Sequence, residues 1–159
     1  MKTIAILLVC ALVLIAGSNG VSGSAAAIAI PGSSGGTQVV GAITANDLKP
    51  ASCAGINLTA VVSGAGAING TAANELILGS AGADTITANG GDDCILAGGG
   101  DDLVDAGPGF DVLLGGSGDD TLNGGDDDDT LYGGPDTDVC SGDAGADTFP
   151  AADCETEIP

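Results

Sequence analysis

An acidic residue recurs at every ninth position between Gly70 and Pro150 of this 159-residue chain. The segment divides without a gap into nine blocks of nine residues, and the sixth position of each block is acidic. These sixth-position residues are Glu75, Asp84, Asp93, Asp102, Asp111, Asp120, Asp129, Asp138 and Asp147. Carboxylates are ligands for hard cations. Their regular spacing therefore indicates cation binding.

The overall charge of the chain agrees with this interpretation. Twenty-two acidic residues stand against two basic ones, Lys2 and Lys49, which gives a net charge of -20 without any histidine. So negative a chain repels nucleic acid and anionic membrane surfaces and attracts cations. We therefore expect cations as partners, and no nucleic acid.

An apolar residue at the eighth position of each block indicates how these acids are positioned. Positions one to six are rich in Gly, Asp, Asn and Ser, which favour turns, whereas positions seven to nine carry Thr, Val, Leu and Ile, which favour a short strand. In a three-residue strand the eighth position faces one side, and the seventh and ninth face the other. The eighth-position residues, which we expect inside, are Ile77, Ile86, Ile95, Val104, Leu113, Leu122, Leu131, Cys140 and Phe149.

One strand per block cannot bury its apolar side alone, but two facing blocks can, in turns stacked about 4.8 Å apart. The period thus predicts an all-β fold, a parallel β-solenoid of nine nonapeptide repeats with two repeats per turn. Position one is mostly glycine, replaced by Ala88, Ala97 and Ala106, and position four is mostly glycine, replaced late in the series by Asp127 and Asp136. Glycine suits positive φ or close backbone approach, and aspartate tolerates left-handed geometry better than most residues.

Two repeats per turn place the sixth-position acids in two columns. One column holds Glu75, Asp93, Asp111, Asp129 and Asp147, and the other holds Asp84, Asp102, Asp120 and Asp138. Carboxylates and flexible loop carbonyls suit Ca²⁺, whereas Mg²⁺ demands a tight octahedron and zinc prefers nitrogen or sulfur. One large apolar side chain per block is too little to offset the entropy of ordering this chain, so folding should depend on the ion. Pairing of each block with the next in its column allows at most seven Ca²⁺, of which we expect four to six.

The blocks resemble the RTX, or haemolysin-type, calcium-binding nonapeptide GGxGxDxUx, in which U is a large apolar residue. GGSGDDTLN matches this pattern at every specified position, and the resemblance covers about half of the chain. It implies a parallel β-roll in which aspartates and loop carbonyls hold Ca²⁺ between successive turns. The implied metal ligands are Asp84, Asp93, Asp102, Asp111, Asp120, Asp129, Asp138 and Asp147. Glu75 departs from the pattern because its side chain is longer.

Four cysteines follow the N-terminal apolar stretch: Cys53, Cys94, Cys140 and Cys154. An even number in an exported chain indicates two disulfides. Three pairings are possible. We favour Cys140 with Cys154, which closes a 15-residue loop, and Cys53 with Cys94, which ties the preceding segment to the coil. No pair has the spacing of a structural zinc site. The RTX resemblance implies that the Cys140–Cys154 loop is a C-terminal cap.

The first residues have the layout of a secretory signal peptide. Lys2 is followed by an apolar stretch from Ile4 to Ala16, and the expected cleavage lies between Gly20 and Ala27. That stretch is shorter than the roughly 20 residues of a membrane-spanning helix, so we expect secretion and no membrane span. The predicted organisation is a signal peptide (1–24), a low-complexity linker (25–52), an N-terminal cap or degenerate repeat (53–69), the β-roll (70–150) and a C-terminal cap (151–159).

Catalysis is not expected from these residues. The absence of histidine excludes His-based triads and His metal sites. Acidic pairs such as Asp119 and Asp120 recur as turn residues in several blocks. The sequence predicts a secreted calcium-binding protein, not an enzyme, whose β-roll folds on binding several Ca²⁺ ions. The alternative is an extracellular adhesion or surface-interaction protein that calcium rigidifies, with an unknown cell-surface partner.

Overall fold

The computed structural model of the protein describes residues 43–150, 154 and 156–158. The predicted signal peptide, its cleavage region and the linker before residue 43 lie outside the described residues. A short helix, α1 (Ala45–Leu48), and a 3-10 helix (Ala51–Cys53) precede the strands. The strands are β1 (Ala60–Ser63), β2 (Ala67–Asn69), β3 (Glu75–Leu78), β4 (Thr85–Thr87), β5 (Cys94–Gly99), β6 (Leu103–Pro108), β7 (Val112–Ser117), β8 (Thr121–Asp126), β9 (Thr130–Tyr132), β10 (Val139–Ala144) and β11 (Thr156–Ile158). No helix within these ranges has the length and apolarity to span a membrane.

The strands form two parallel sheets that face each other. The first sheet has the order β1-β3-β5-β7-β9, and the second has the order β11-β10-β8-β6-β4-β2. From β1 to β10 the odd-numbered strands lie in the first sheet and the even-numbered strands in the second, so each turn contributes one strand to each sheet, and β11 then joins the second sheet. From β2 to β10, paired residues in neighbouring strands are 18 apart, as in Ile95 with Leu113 and Val104 with Leu122. The prediction of a parallel β-solenoid with two repeats per turn is confirmed, and β1 and β2 extend it to about five turns.

The core between the sheets consists of the eighth-position side chains. Ile77, Ile95 and Leu113 of the first sheet have no exposed surface, and Ile68 of β2, which pairs with Ile86, extends the facing row of the second sheet before the first block. The strands are longer than predicted, since β5, β6, β7, β8 and β10 have six residues each and continue into the next block. Alternate residues of a strand face the same side, so the first position of the next block also points inward. Ala97 in β5 and Ala106 in β6 are therefore completely buried core residues, and Ala88, which directly follows β4, is buried with them.

The outer face of the first sheet is partly covered by the segment that precedes the blocks. Ala45, Cys53, Ile56 and Leu58 form a second apolar cluster with Leu76 and Cys94, which both occupy seventh positions. The sequence places seventh positions on an exposed face, and at this end of the first sheet that expectation is wrong. The reason is tertiary packing, because a non-repetitive segment covers the sheet. On the second sheet Thr85, Leu103 and Thr121 are exposed, as expected.

Both favoured disulfides are present. Cys53 and Cys94 are bonded, with their Cα atoms 5.9 Å apart, and this bond joins the 3-10 helix to β5. Cys140 and Cys154 are bonded, with a Cα separation of 5.8 Å. After Cys154 the chain forms β11, which pairs with β10 and adds the last strand to the second sheet. The first disulfide therefore fixes the N-terminal segment to the side of the solenoid, at the central strand of the first sheet, and the second lies at its C-terminal end.

The turns between strands depend on left-handed backbone at positions two and four. Gly116 and Gly118 have φ values of 116° and 120°. Asp127 and Asp136, which replace glycine at position four, have φ values of 79° and 88°, as the tolerance of aspartate for this region predicts. A Cβ atom added to Gly116 would also overlap the carbonyl oxygen of Gly98 one turn earlier. Glycine is required there for two independent reasons.

We expect Gly116→Ala to destabilise the solenoid and Gly82→Ala to leave it nearly unchanged. Left-handed backbone alone costs a non-glycine residue roughly 1–2 kcal/mol, and the overlap with Gly98 adds to this. A Cβ at Gly82 meets no heavy atom within 4 Å, and its φ is not left-handed. Chemical denaturation of both variants in excess calcium measures the difference. Equal midpoints for the two variants would contradict the turn geometry.

Candidate metal centre

The sixth-position carboxylates are stacked in two columns and joined by hydrogen bonds that cross the turns. The Asp93 N–H donates to Asp111 Oδ1 at 2.6 Å, and the Asp102 N–H donates to Asp120 Oδ1 at 2.8 Å. In the other pairs, too, a backbone N–H donates to Oδ1 of the aspartate 18 residues later. The donor and acceptor pairs are Glu75 to Asp93, Asp84 to Asp102, Asp111 to Asp129, Asp120 to Asp138 and Asp129 to Asp147. The structure thus brings the eight predicted ligands together in the two predicted columns. The sixth-position acids from Glu75 to Asp138 are buried.

The second carboxylate oxygen of the central aspartates has no hydrogen-bond partner. Oδ2 is buried and unpartnered in Asp93, Asp102, Asp111, Asp120 and Asp129. A buried charged oxygen without a partner is strongly unfavourable, because it has lost its hydration and gained nothing in exchange. A row of such atoms, one in each successive block, requires positive charge beside it.

The same burial raises the pKa values of these carboxyl groups. Burial, and secondarily the charges of neighbouring acids, raise the pKa of Asp111 to about 8 and the pKa values of Asp93 and Asp129 to about 7. Burial raises the pKa of Asp120 to about 6, and it also raises the pKa of Asp102. In each case the amide bond from the preceding turn opposes the shift without cancelling it. Without a cation, burial therefore shifts each of these groups toward its protonated form.

Glu75 and Asp84 differ from the central aspartates because hydrogen bonds from their own blocks satisfy them. The Thr71 N–H donates to Glu75 Oε2 and the Thr71 hydroxyl to Oε1, both at 2.8 Å. The Ser80 N–H donates to Asp84 Oδ2 at 2.7 Å, and Gly66 N–H donates to its Oδ1. The bond from Ser80 is the main reason that the pKa of Asp84 is lowered.

The sequence set Glu75 apart but grouped Asp84 with the other ligands. In hydrogen bonding, Asp84 resembles Glu75. The signal that separates them from the later acids lies at position two, where the first two blocks carry Thr71 and Ser80. These two residues do not have positive φ, whereas position two is left-handed in all seven later blocks, from Asn89 to Asp143.

Carbonyl oxygens of the loops lie beside the unpartnered carboxylate oxygens. A Cβ added to Gly115 would overlap Asp120 Oδ2 and lie 2.7 Å from the carbonyl oxygen of Gly133, one turn later. A Cβ added to Gly124 would overlap Asp129 Oδ2. At these two blocks, glycine at position one therefore keeps a narrow, oxygen-lined gap open between turns. No group of three or more carboxylate or thiolate side chains gathers around a single point in the described ranges, so loop carbonyls would have to complete the ligand set. This donor set fits Ca²⁺.

A second row of carboxylates, at position five, was not predicted as a structural feature. Asp101 Oδ1 accepts the Asp119 N–H at 3.1 Å, and Asp119 Oδ1 accepts the Thr137 N–H at 3.0 Å. These bonds run to the following turn, whereas those of the sixth position come from the preceding turn. Of the position-five acids, Asp101, Asp119 and Asp128 are exposed, and Asp92 is half-buried. In the sequence, this arrangement corresponds to adjacent acids at positions five and six, such as Asp119 and Asp120.

Comparison with protein families agrees with this geometry. The family model described as RTX calcium-binding nonapeptide repeat (4 copies) matches residues 69–104, 79–113, 97–131, 105–140 and 114–149. Together the matches cover residues 69–149, which is more than half of the chain. No curated protein and no solved structure matches the chain. The chain belongs to the family of RTX calcium-binding nonapeptide repeat proteins.

Proposed function

We propose that this is a secreted, non-catalytic calcium-binding protein whose solenoid folds when Ca²⁺ occupies the gaps between successive turns. One observation carries the proposal: the buried Oδ2 atoms of Asp93, Asp102, Asp111, Asp120 and Asp129 have no hydrogen-bond partner. Bound calcium would supply the positive charge that these oxygens need. The family assignment and the oxygen-lined gaps support the same ion.

The residues of the chain perform three tasks at such a site. The amide of the preceding turn holds Oδ1, as between Asp111 N–H and Asp129 Oδ1 at 2.8 Å, which orients Oδ2. Left-handed glycines at positions two and four bend the loop so that its carbonyls lie near the carboxylate. In the later blocks, Gly115 and Gly124 at position one leave room beside Asp120 and Asp129. Ca²⁺ accepts six to eight oxygen ligands in flexible geometry, which suits ligands from flexible loops better than the octahedron of Mg²⁺ does.

Folding and calcium binding should be one reaction over residues 88–150, which form most of the solenoid. Residues 88–150 contain sixteen carboxylates and no lysine, arginine or histidine. Each block contributes only one large apolar side chain to the core. Apolar burial therefore contributes little free energy to oppose the repulsion between the acids. A site of this kind does not exist in the unfolded chain, and the free energy of binding is then free energy of folding.

Two features support secretion. The N-terminal sequence has the layout of a signal peptide. Both pairs of cysteines after it are disulfide-bonded, and structural disulfides persist in oxidising compartments outside the cytosol. Millimolar calcium outside cells would suit ligands of the modest affinity typical of extracellular modules.

We expect the mature protein to lose most of its β structure in chelator and to regain it with calcium. Half-saturation should fall on the order of 0.1–1 mM, as for extracellular calcium modules. Magnesium at equal concentration should not substitute, because loop carbonyls do not form a tight octahedron. Circular dichroism during a calcium titration tests this. An unchanged β spectrum in chelator would refute the coupling of folding to calcium.

We expect Asp120→Asn to reduce the number of bound ions and the neighbouring Asp119→Asn to preserve it. The two variants remove the same charge from adjacent residues, and both keep an oxygen to accept the cross-turn amide. Only Asp120 has a buried, unpartnered Oδ2, whereas Asp119 is exposed. Asp111→Asn should behave as Asp120→Asn, and replacement of Glu75 should cost less calcium. Calorimetric stoichiometry distinguishes them, and identical stoichiometry in all variants would contradict the column sites.

Calcium affinity should fall as the pH falls. The raised pKa values mean that the folded, calcium-free solenoid binds more protons than the unfolded chain, whose aspartates titrate near pH 3.9. Acid therefore stabilises the calcium-free fold. That stabilisation is complete below about pH 4 and is lost as the pH rises through the folded pKa values of about 6 to 8.

Calcium must displace these protons. We expect apparent affinity roughly tenfold or more weaker at about pH 5.5 than at about pH 8, with protons released on binding. Calorimetry in buffers of different ionisation enthalpy measures the release. Equal affinity at both pH values, with no proton release, would be inconsistent with the buried carboxyl groups as ligands.

A further inference from the structure

We propose that residues 43–87, the N-terminal unit, fold without calcium and act as the template on which the later turns wind as calcium binds. This inference rests on the proposed function for residues 88–150, where folding requires the ion. It gives the solenoid a direction of assembly, from its N-terminal end to its C-terminal end. Four independent features distinguish the N-terminal unit from the rest of the chain.

The first feature is charge. The N-terminal unit contains three carboxylates and Lys49, whereas residues 88–150 contain sixteen carboxylates and no cationic side chain. The Lys49 ammonium donates to Asn46 Oδ1 at 3.1 Å and to the carbonyl oxygens of Ala54 and Ile56. Asp47 accepts the N–H and the hydroxyl of Thr44 and caps α1. Most of the repulsion between acids therefore lies after residue 87.

The second feature is that the sixth-position acids of the N-terminal unit are satisfied by the chain itself. Thr71 donates to both carboxylate oxygens of Glu75, and Ser80 and Gly66 donate to the two oxygens of Asp84. These bonds replace the ion at the first two blocks. They require ordinary φ at position two, and this condition ends at Asn89, where φ becomes 79°.

The third feature is the second apolar cluster. Ile56 and Leu58 pack with Leu76 on the outer face of the first sheet, so β3 is covered on both faces. The later strands of this sheet are covered less completely, since Val112 and Leu114 are only partly buried. Apolar burial, which stabilises a fold with or without calcium, is therefore concentrated at the N-terminal end.

The fourth feature is the Cys53–Cys94 disulfide. It links residues 41 apart in sequence and holds the start of β5 against the N-terminal unit. A cross-link of this length lowers the entropy of the unfolded chain. It also keeps the third block close to β3, its pairing partner. The Cys140–Cys154 disulfide joins only residues of the C-terminal end, so it holds nothing to the N-terminal unit.

A folded N-terminal unit presents two strand edges to the next turn. β3 pairs with β5, and β4 pairs with β6, in parallel register. Parallel pairing of two strands requires closure of the connecting loop. The chain loses conformational entropy in that closure before the stabilising contacts form. An existing edge removes the need for two strands to find each other at once. In a solenoid each repeat contacts only its neighbours, so winding can then proceed turn by turn.

Hydrogen exchange of the full mature protein in chelator tests the inference. Three backbone amides report on hydrogen bonds inside the N-terminal unit. They are Gly64 N–H to the carbonyl of Leu78, Gly70 N–H to that of Thr87, and Thr85 N–H to that of Gly66. Three other backbone amides report on the later turns. They are Gly116 N–H to the carbonyl of Gly133, Thr121 N–H to the backbone carbonyl of Asp102, and Thr130 N–H to that of Asp111. We expect the first group to exchange at least roughly tenfold more slowly than the second in chelator. Saturating calcium should protect both groups.

The possible outcomes separate this inference from the proposed function. Fast exchange at all six amides in chelator would overturn the calcium-independent unit and leave calcium-coupled folding intact. Full protection at all six in chelator would overturn the calcium-coupled folding itself. Protection of the later turns alone would reverse the direction of assembly and also refute the inference.

Paired cysteine variants provide a second, matched test. We expect Cys53→Ser with Cys94→Ser to lose most of the protection of Gly70 and Thr85 in chelator. Cys140→Ser with Cys154→Ser should leave that protection unchanged, because its disulfide lies at the other end of the solenoid. The inference would be wrong if the second pair abolished the protection and the first did not.

Discussion

Burial of like charges in two stacked columns is the constraint on which this structure depends. Winding two blocks per turn places the sixth-position acids directly above one another, one strand spacing of about 4.8 Å apart. Two negative charges at that distance repel strongly once water is excluded. The cross-turn amide bonds offset part of this repulsion but occupy only Oδ1, as between Asp102 N–H and Asp120 Oδ1. Oδ2 of these aspartates remains without a partner in the chain, so the solenoid needs a bound cation that accepts many oxygen ligands.

Position one shows how the same backbone serves both the core and the ion. It faces inward because the six-residue strands continue past the eighth position, so its side chain lies between the apolar row and the carboxylate column. Glycine at 115 and 124 leaves the gap beside Asp120 and Asp129 open. Alanine at 88, 97 and 106 instead adds buried methyl groups to the core. The middle turns therefore gain apolar contact where the last turns keep space, and stability need not be uniform along the coil.

The sequence predicted those features that follow from the period alone. A nine-residue repeat with one acid and one apolar residue requires facing strands, two columns and turns with left-handed residues, and all of these are present. Strand length escaped prediction because positions one to three read as turn-forming residues, although Gly98 and Gly116 pair within strands. The cover of α1, Ile56 and Leu58 over the first sheet escaped because it is not repetitive. The local bonds to Asp84 escaped because they depend on the φ angle of Ser80, which composition does not reveal.

The two ends of the solenoid solve different problems. A solenoid exposes strand edges and a cross-section of its core at each end, and its stability is close to a sum of nearest-neighbour terms. At the C-terminal end, Cys154 is tied to the buried Cys140, and β11 pairs with the edge of β10. At the N-terminal end, Cys53 is tied to β5 and holds a segment along the side of the first sheet, not across the end. A side cover adds free energy to several neighbouring turns, whereas an end cap adds it to one. Each turn of this solenoid contacts only its neighbours, and most turns depend on an ion. The N-terminal end, whose first sheet is covered on its outer face, is therefore the end that can remain ordered when calcium is scarce.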